Sequence, residues 1–189
     1  MNNLRELTKE AHRSAERTSF MNRMLKKQIT PYQYFVYIKN QLFVYTNLEY
    51  FADELGIFDG DMARLMRGPY LIDDVLQMEV ENTFPEPPIL QASHKYVEYI
   101  KTIKEDQDKL FAHIYVRHMG DLSGGQIIKN LVPGPTNLYE FEGNVEYLKD
   151  LVRGKLHDGL EAEAKVCFSM VQEFLEELEA HFGNMEPPE

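Results

Sequence analysis

Four residues near the start of the chain, Arg5, Lys9, His12 and Glu16, are separated by four, three and four positions. On a helix they share one face. That face offers a single imidazole, two cations beside it and a carboxylate one turn further on. A lone imidazole is a poor cage for a bare metal ion, which needs several converging ligands. It suits a metal that arrives ringed by ligands of its own, with one axial position open and anionic groups for the cations to hold. Haem has that form, with one iron site and two propionates. The competing reading is a surface histidine on a basic amphipathic helix, and on spacing alone that reading is the stronger.

A second cationic pair, Lys149 and Arg153, stands at i and i+4 in LKDLVRGKL. Like charges at that spacing repel mildly, so an anion between them is one reading and pairing with Asp150 or Asp158 is the other. The third feature is HMGDLSGGQIIK, residues 118–129, in which Gly120 and Gly124 face the same way with Gly125 beside them. Each glycine inside a helix costs about 1 kcal/mol relative to alanine. The missing Cβ atoms let the backbone approach a flat ligand or let the helix bend. Close packing of a neighbouring helix and a true break at DLSGG are the alternatives, and spacing alone favours packing. Asp121 adjoins the glycines, and Arg117 precedes it by one turn as a candidate charge partner.

Six histidines are present, and none has a glutamate three positions before it, so the Glu-x-x-His pairs of a di-iron bundle are missing. HExxH, P-loop and GxSxG motifs are missing too. Cys167 is the only cysteine, which excludes an internal disulfide and reads as a small buried apolar residue. The net charge of −11 argues against sequence-independent nucleic-acid binding. Residues 1–27 nevertheless hold seven basic and three acidic side chains, a local excess that suits an anionic ligand, an acidic partner or plain solvation. No apolar run is long enough to span a membrane, and the first residues contain no signal-peptide core. A soluble, cytoplasmic protein is expected.

The elements that must position these groups are helices. Leu4, Leu7, Ala11 and Ala15 form a stripe on a first helix, after which Thr18 or Ser19 can cap a short segment. Thr30 and Pro31 open a long second helix carrying Tyr34, Ile38, Leu42, Tyr45, Leu48 and Leu55. GPYLIDD and FPEPP act as breakers around a shorter helix near Ile72–Glu81. Further helices follow at Leu90–Ile100 and through Leu110, Ile114 and Leu122, the latter ending at VPGP, residues 132–135. One more runs through Val145, Leu148, Leu151 and Leu156, and a last one spans roughly Leu160–Phe182. With no alternating strand pattern and no linker, the expectation is a single all-α domain over residues 1–189, frayed from about residue 183.

Taken together, these segments resemble haem oxygenase. LTKEAHRSAE is similar to that family's proximal-histidine helix, and AHIYVRHMGDLSGGQIIK to its distal-helix signature, the most specific of the three parts. LKDLVRGKL followed by EAEAKVCFSMVQEFLEEL resembles its C-terminal helices. Order and spacing agree as well as residue type. The resemblance implies a multi-helix bundle with haem held between a proximal and a glycine-bearing distal helix. It implies His12 as the axial iron ligand, with Glu16 on the same face. Arg5, Lys9, Lys149 and Arg153 would lie around the propionates, Tyr115 on the propionate side, and Phe168 in the haem wall. Gly120, Gly124 and Gly125 would form the distal wall, with Asp121 organising water supported by Arg117. Arg5 stands where relatives often have lysine, and Val116 and Val171 where some carry polar residues. These differences bear on the water network and the haem edge.

The implied reaction is oxidation of haem by dioxygen and electrons to biliverdin, of the IXα isomer, with carbon monoxide and ferrous iron. The sequence carries no flavin or nicotinamide signature. Electrons are therefore expected from an acidic ferredoxin docked on the basic N-terminal segment, and a downstream bilin reductase is the expected consumer of the product. The sequence leaves two rivals open. A haem carrier on the same fold would keep its haem in air with reductant. A thiamin-degrading enzyme of the related helical fold would need a cysteine nucleophile, for which only Cys167 is available.

Overall fold

The computed structural model describes residues 2–183, and the expected frayed tail beyond Gly183, Asn184–Glu189, lies outside the described residues. Thr30 opens the long second helix: its hydroxyl accepts from the Gln33 amide at 3.2 Å, and the Gln33 side chain accepts from the Thr30 amide at 3.1 Å. This reciprocal cap, with Pro31 in the first turn, starts a helix of 24 residues at the expected place. Its residues Tyr34 to Ile38 are all buried, so it is wrapped on every side rather than on one stripe.

Numbered along the chain, the helices are α1 (Leu4–Leu7), α2 (Lys9–Glu16), α3 (Ser19–Leu25), α4 (Pro31–Glu54) and α5 (Gly68–Glu81). They continue with α6 (Gln91–Ile103), α7 (Gln107–Leu122), α8 (Gly125–Ile128), α9 (Val145–Arg153) and α10 (Glu161–Gly183). Short 3-10 turns lie at Gly60–Leu65, Asn137–Tyr139 and Asp158–Leu160, and no strand occurs among the described residues. α4 packs against α5, α6 and α7, while α10 packs against α7, α2, α3 and α6. α7 is thus clasped between the two longest helices, and α2 shares α10 with it as a common floor.

Several boundaries differ from the sequence reading, each for a local reason. The first helix pauses at Thr8, whose hydroxyl donates to the Leu4 carbonyl at 2.8 Å. Backbone bonds from Thr8 to Leu4 and from His12 to Thr8 carry the helical path across the pause. Leu7 of the proposed stripe is exposed. Thr18 precedes α3 but makes no capping bond, because its hydroxyl donates back to the Ala15 carbonyl. GPYLIDD does not break a helix; it starts α5, with proline in the first turn where no amide donor is required. α7 ends at Leu122, ten residues before VPGP, because Ser123 leaves helical geometry (φ −113°, ψ −86°).

Carboxylates from neighbouring helices close ends that have no local cap. Glu49 of α4 accepts from the amides of Arg67 and Gly68 at 2.5 and 2.8 Å, at the start of α5. Glu177 of α10 accepts from Gln91 and Ala92 at 3.0 and 2.6 Å, at the start of α6. Asp74 receives the amides of Asn137 and Leu138, both at 2.9 Å. Each satisfies donors that the helix or turn leaves unpaired and sets a negative charge at the positive end of a dipole.

Candidate haem site

α2 holds His12 at the surface, with its side chain 55% exposed. Its Nε2 lies 3.1 Å from a Glu16 carboxylate oxygen one turn on, and its ring meets Phe168 of α10 edge-on at 5.6 Å between centroids. The imidazole is therefore steered by one carboxylate and one aromatic wall while keeping access to solvent. Lys9 lies half-exposed beside Glu6 at 3.1 Å, and Arg5 is exposed. Tyr115 of α7 is buried beside Thr8 and Arg5; burial pushes its phenol up, and those two neighbours offset part of the effect.

The three glycines divide: Gly120 lies in the last turn of α7, Gly124 precedes α8 and Gly125 opens it. A Cβ built on Gly120 would meet no heavy atom within 4 Å, and one on Gly124 only the Gly120 carbonyl oxygen at 3.7 Å. A Cβ on Gly125 would lie 2.6 Å from the buried Tyr139 ring. Packing thus holds at Gly125 and a break at Ser123, while Gly120 and Gly124 are left open, presenting bare backbone.

Asp121 is buried, and its Oδ2 accepts from the Tyr45 hydroxyl at 2.6 Å. Burial pushes its carboxyl up to about 6, against the pull of His118, the Tyr45 bond, Arg117 and Arg67. Arg117 is not bonded to Asp121 as its spacing suggested. Its guanidinium donates to Gln41 and lies over the rings of Tyr45 and Tyr96, at 4.8 and 5.4 Å. Its Nε is buried without a partner. Cys167 is buried as expected, yet in polar company: its Sγ is 3.2 Å from the Tyr96 hydroxyl. That hydroxyl also meets His113 Nδ1 at 2.6 Å, and His113 Nε2 meets Glu163 at 2.8 Å.

Tyr45, Gln41, Tyr96, His113 and Glu163 were missed by sequence reasoning. Each looks like part of an ordinary helical stripe, and only the docking of α4, α6 and α10 on α7 brings their polar atoms together. On α9, Lys149 pairs with Glu146 at 2.9 Å and Arg153 with Asp150 at 2.8 Å. Asp158 instead accepts from the Asn3 amide at 2.7 Å. Glu146 also reaches Arg153 at 3.5 Å, so carboxylates of the same helix partner both cations and one bridges them.

Among the described residues no three His, Cys, Asp or Glu side chains converge to hold a bare metal ion. One accessible imidazole, flanking cations and an open glycine face do fit a metal carried in a flat macrocycle. The fold is an all-α bundle in which α2, carrying His12, and α7, carrying Gly120, both pack on α10. The chain belongs to the haem oxygenase family: the family model described as "Heme oxygenase" matches residues 1–177.

A heme oxygenase from Guillardia theta is 32% identical over 206 residues, covering 95% of this chain and 86% of that protein. Heme oxygenase 1 of Synechocystis is 30% identical over 201 residues, covering 94% and 84%. Heme oxygenase 1 of Gallus gallus is 29% identical over 181 residues, covering 82% of this chain; the match spans 58% of that relative's length. The match to heme oxygenase 1 of Nostoc spans 63% of its length. The crystal structure of Synechocystis heme oxygenase-1 in complex with heme superposes with a TM-score of 0.80 at 28% identity, over 94% of this chain and 91% of that one. Heme oxygenase from Leptospira interrogans superposes with a TM-score of 0.78 at 27% identity, over 92% and 97%. No helix among the described residues is long and apolar enough to cross a membrane.

Proposed function

We propose that this chain opens the ring of haem, using dioxygen and electrons from an external donor, to give biliverdin, carbon monoxide and ferrous iron. The observation that carries the reading is an accessible His12 on α2 and bare backbone at Gly120 and Gly124, the latter beside a buried Asp121 of raised proton affinity, with α2 and α7 both seated on α10. Haem is the substrate, and its iron supplies the dioxygen chemistry.

The chain's own residues bind, orient and manage protons. His12 would hold the iron, and Glu16, 3.1 Å from its Nε2, would help fix the plane of the imidazole. Arg5, Lys9, Lys149 and Arg153 receive the propionates by charge-assisted hydrogen bonds, and Tyr115 stands on the same side. Lys9, Lys149 and Arg153 are now paired with Glu6, Glu146 and Asp150, carboxylates with which the propionates would compete. Phe168, already against His12, walls the ring. Bare backbone at Gly120 and Gly124 would admit the flat ring and bound the space left for dioxygen. Asp121 would act without touching iron: its Oδ2 is held by Tyr45, which leaves its other oxygen to order water and so the proton supply. Arg117 supports that network through Tyr45 and Gln41.

The donor is an acidic ferredoxin drawn to the basic segment of residues 1–27, the product is the IXα isomer, a bilin reductase consumes it, and the protein works in the cytoplasm. Aerobic turnover with ferredoxin and its reductase, with the bilin resolved by chromatography, tests the reading. Biliverdin IXα with loss of the Soret band is expected, and a Soret band that survives reductant and air would refute it. In His12→Ala the spectrum of added hemin should change and its affinity fall; an unchanged spectrum and affinity would remove His12 from the ligand role.

A further inference from the structure

His118 lies one helical turn before Asp121 on α7 and is wholly buried. Its Nε2 is 2.8 Å from Glu49 Oε1, and its Nδ1 is 3.2 Å from the Ile114 carbonyl oxygen. A carbonyl oxygen only accepts. Glu49 is likewise surrounded by donors, receiving the amides of Arg67 on Oε1 and Gly68 on Oε2 at the positive end of α5. A neutral imidazole has one N–H and one lone pair, so one of its nitrogens would face an acceptor lone pair to lone pair. Only the imidazolium donates at both positions.

The charge sits where it matters to the carboxylate. The His118 ring packs against the Tyr45 ring at 5.1 Å and against Phe58 at 5.7 Å. Tyr45 is the phenol that donates to Asp121. The charged and titratable groups facing Asp121 are Tyr37 and Tyr45 of α4, Arg117 and His118 of α7, Arg67 before α5, and Tyr139 of the 3-10 turn. Those facing His118 are Glu49 and Tyr45 of α4 and Asp121 itself, with the Arg67 and Gly68 main chain behind Glu49. Arg67 spends its guanidinium on the carbonyls of Arg64, Leu65, Leu138 and Glu140, and Arg117 spends its own on Gln41 and two rings. Among these cations His118 exerts the largest pull against the burial of Asp121.

We propose that His118 is a buried imidazolium, clamped by Glu49 and the Ile114 carbonyl, and that it is a positioning residue whose charge sets the pH at which Asp121 ionises. The functional half of this inference rests on the role given above to Asp121; the charge itself does not. The test uses the full chain without haem. With nitrogen-15 in the histidine rings, NMR at pH 7 should show His118 protonated at both nitrogens. A neutral ring would overturn the proposal, and this measurement needs no variant.

With carbon-13 in the aspartate carboxyls, the Asp121 midpoint should rise by about one unit in His118→Gln. The double variant Glu49→Gln/His118→Gln leaves Glu49 no unpaired charge, so, compared with Glu49→Gln alone, it keeps the test available if the single variant folds poorly. An unmoved midpoint in the folded variants overturns the proposal. The pH profile of biliverdin formation separates the two claims. If its acid limb moves with the carboxyl midpoint, both stand. If the carboxyl midpoint moves and the profile does not, the charge assignment stands and the role of Asp121 falls.

Discussion

Replacing Asp121 by asparagine removes a charge that the fold holds at a cost. The carboxyl is pushed from its ordinary value of 3.8 up to about 6 by burial, only partly offset by His118, Tyr45, Arg117 and Arg67. The sign follows from linkage. A carboxyl raised in the folded state favours folding most below its unfolded value, and that contribution is lost as pH rises through about 6. Above that pH the ionised form burdens the native state by roughly two units, or about 3 kcal/mol at 1.36 kcal/mol per unit, an upper bound for the gain. Asparagine keeps an acceptor for the Tyr45 hydroxyl but adds an amide donor that must find water, so a net gain of about 1–3 kcal/mol is expected at pH 7.5. For a chain of this size that is a rise of several degrees in Tm. Urea unfolding of the haem-free protein at pH 7.5 and at pH 4 measures it, and the gain should shrink toward zero at the lower pH. The same variant should bind haem yet lose biliverdin yield. Equal or lower stability at pH 7.5, or a gain independent of pH, would refute the reasoning; normal turnover would refute the role of the carboxylate.

The glycines offer a contrast in one experiment. Gly125→Ala drives a methyl against the buried Tyr139 ring and should cost about 1–3 kcal/mol in urea unfolding. Gly120→Ala meets nothing and should stabilise the haem-free protein by about 0.5–1 kcal/mol while altering the hemin spectrum. Turnover with ferredoxin should fall steeply with added salt, and salt-independent rates would rule out docking on the basic segment. His113 is desolvated, yet Cys167 and Glu163 beside it raise its imidazole to about 9. Its contribution to stability is present below its ordinary 6.5 and lost as pH rises through about 9. Glu163→Gln should therefore destabilise most near pH 6 and least above pH 10, as thermal unfolding across that range will show.

Local rules were legible in the sequence because they act within a turn or two. Thr30, Pro31 and Gln33 announce the start of α4 without reference to the rest of the molecule, and helical periodicity places α6, α9 and α10 to within a few residues. The face shared by Arg5, Lys9, His12 and Glu16 survives the pause at Thr8 because backbone bonds bridge it. The open side of Gly120 and Gly124 was one of several readings of a glycine run. Spacing gave no means to separate it from packing, since both ask only for a missing Cβ. Tertiary structure made that separation, assigning packing to Gly125 by setting Tyr139 against it.

The electrostatics of the site depended on the fold altogether. Asp121 acquires its proton affinity by burial and its hydrogen bond from Tyr45, 76 positions away. Arg117, four residues before Asp121, turns instead to Gln41 on another helix. Glu49 both caps α5 and clamps His118, 69 positions on, a double duty invisible in a helix that otherwise shows core residues. Sequence by itself determined which chemical groups each helix carries and where most helices start, because those are short-range matters of sterics and hydrogen bonding. Which buried group meets which, and so which protons are held tightly, was decided only when α4, α7 and α10 packed and excluded the water that would have screened them.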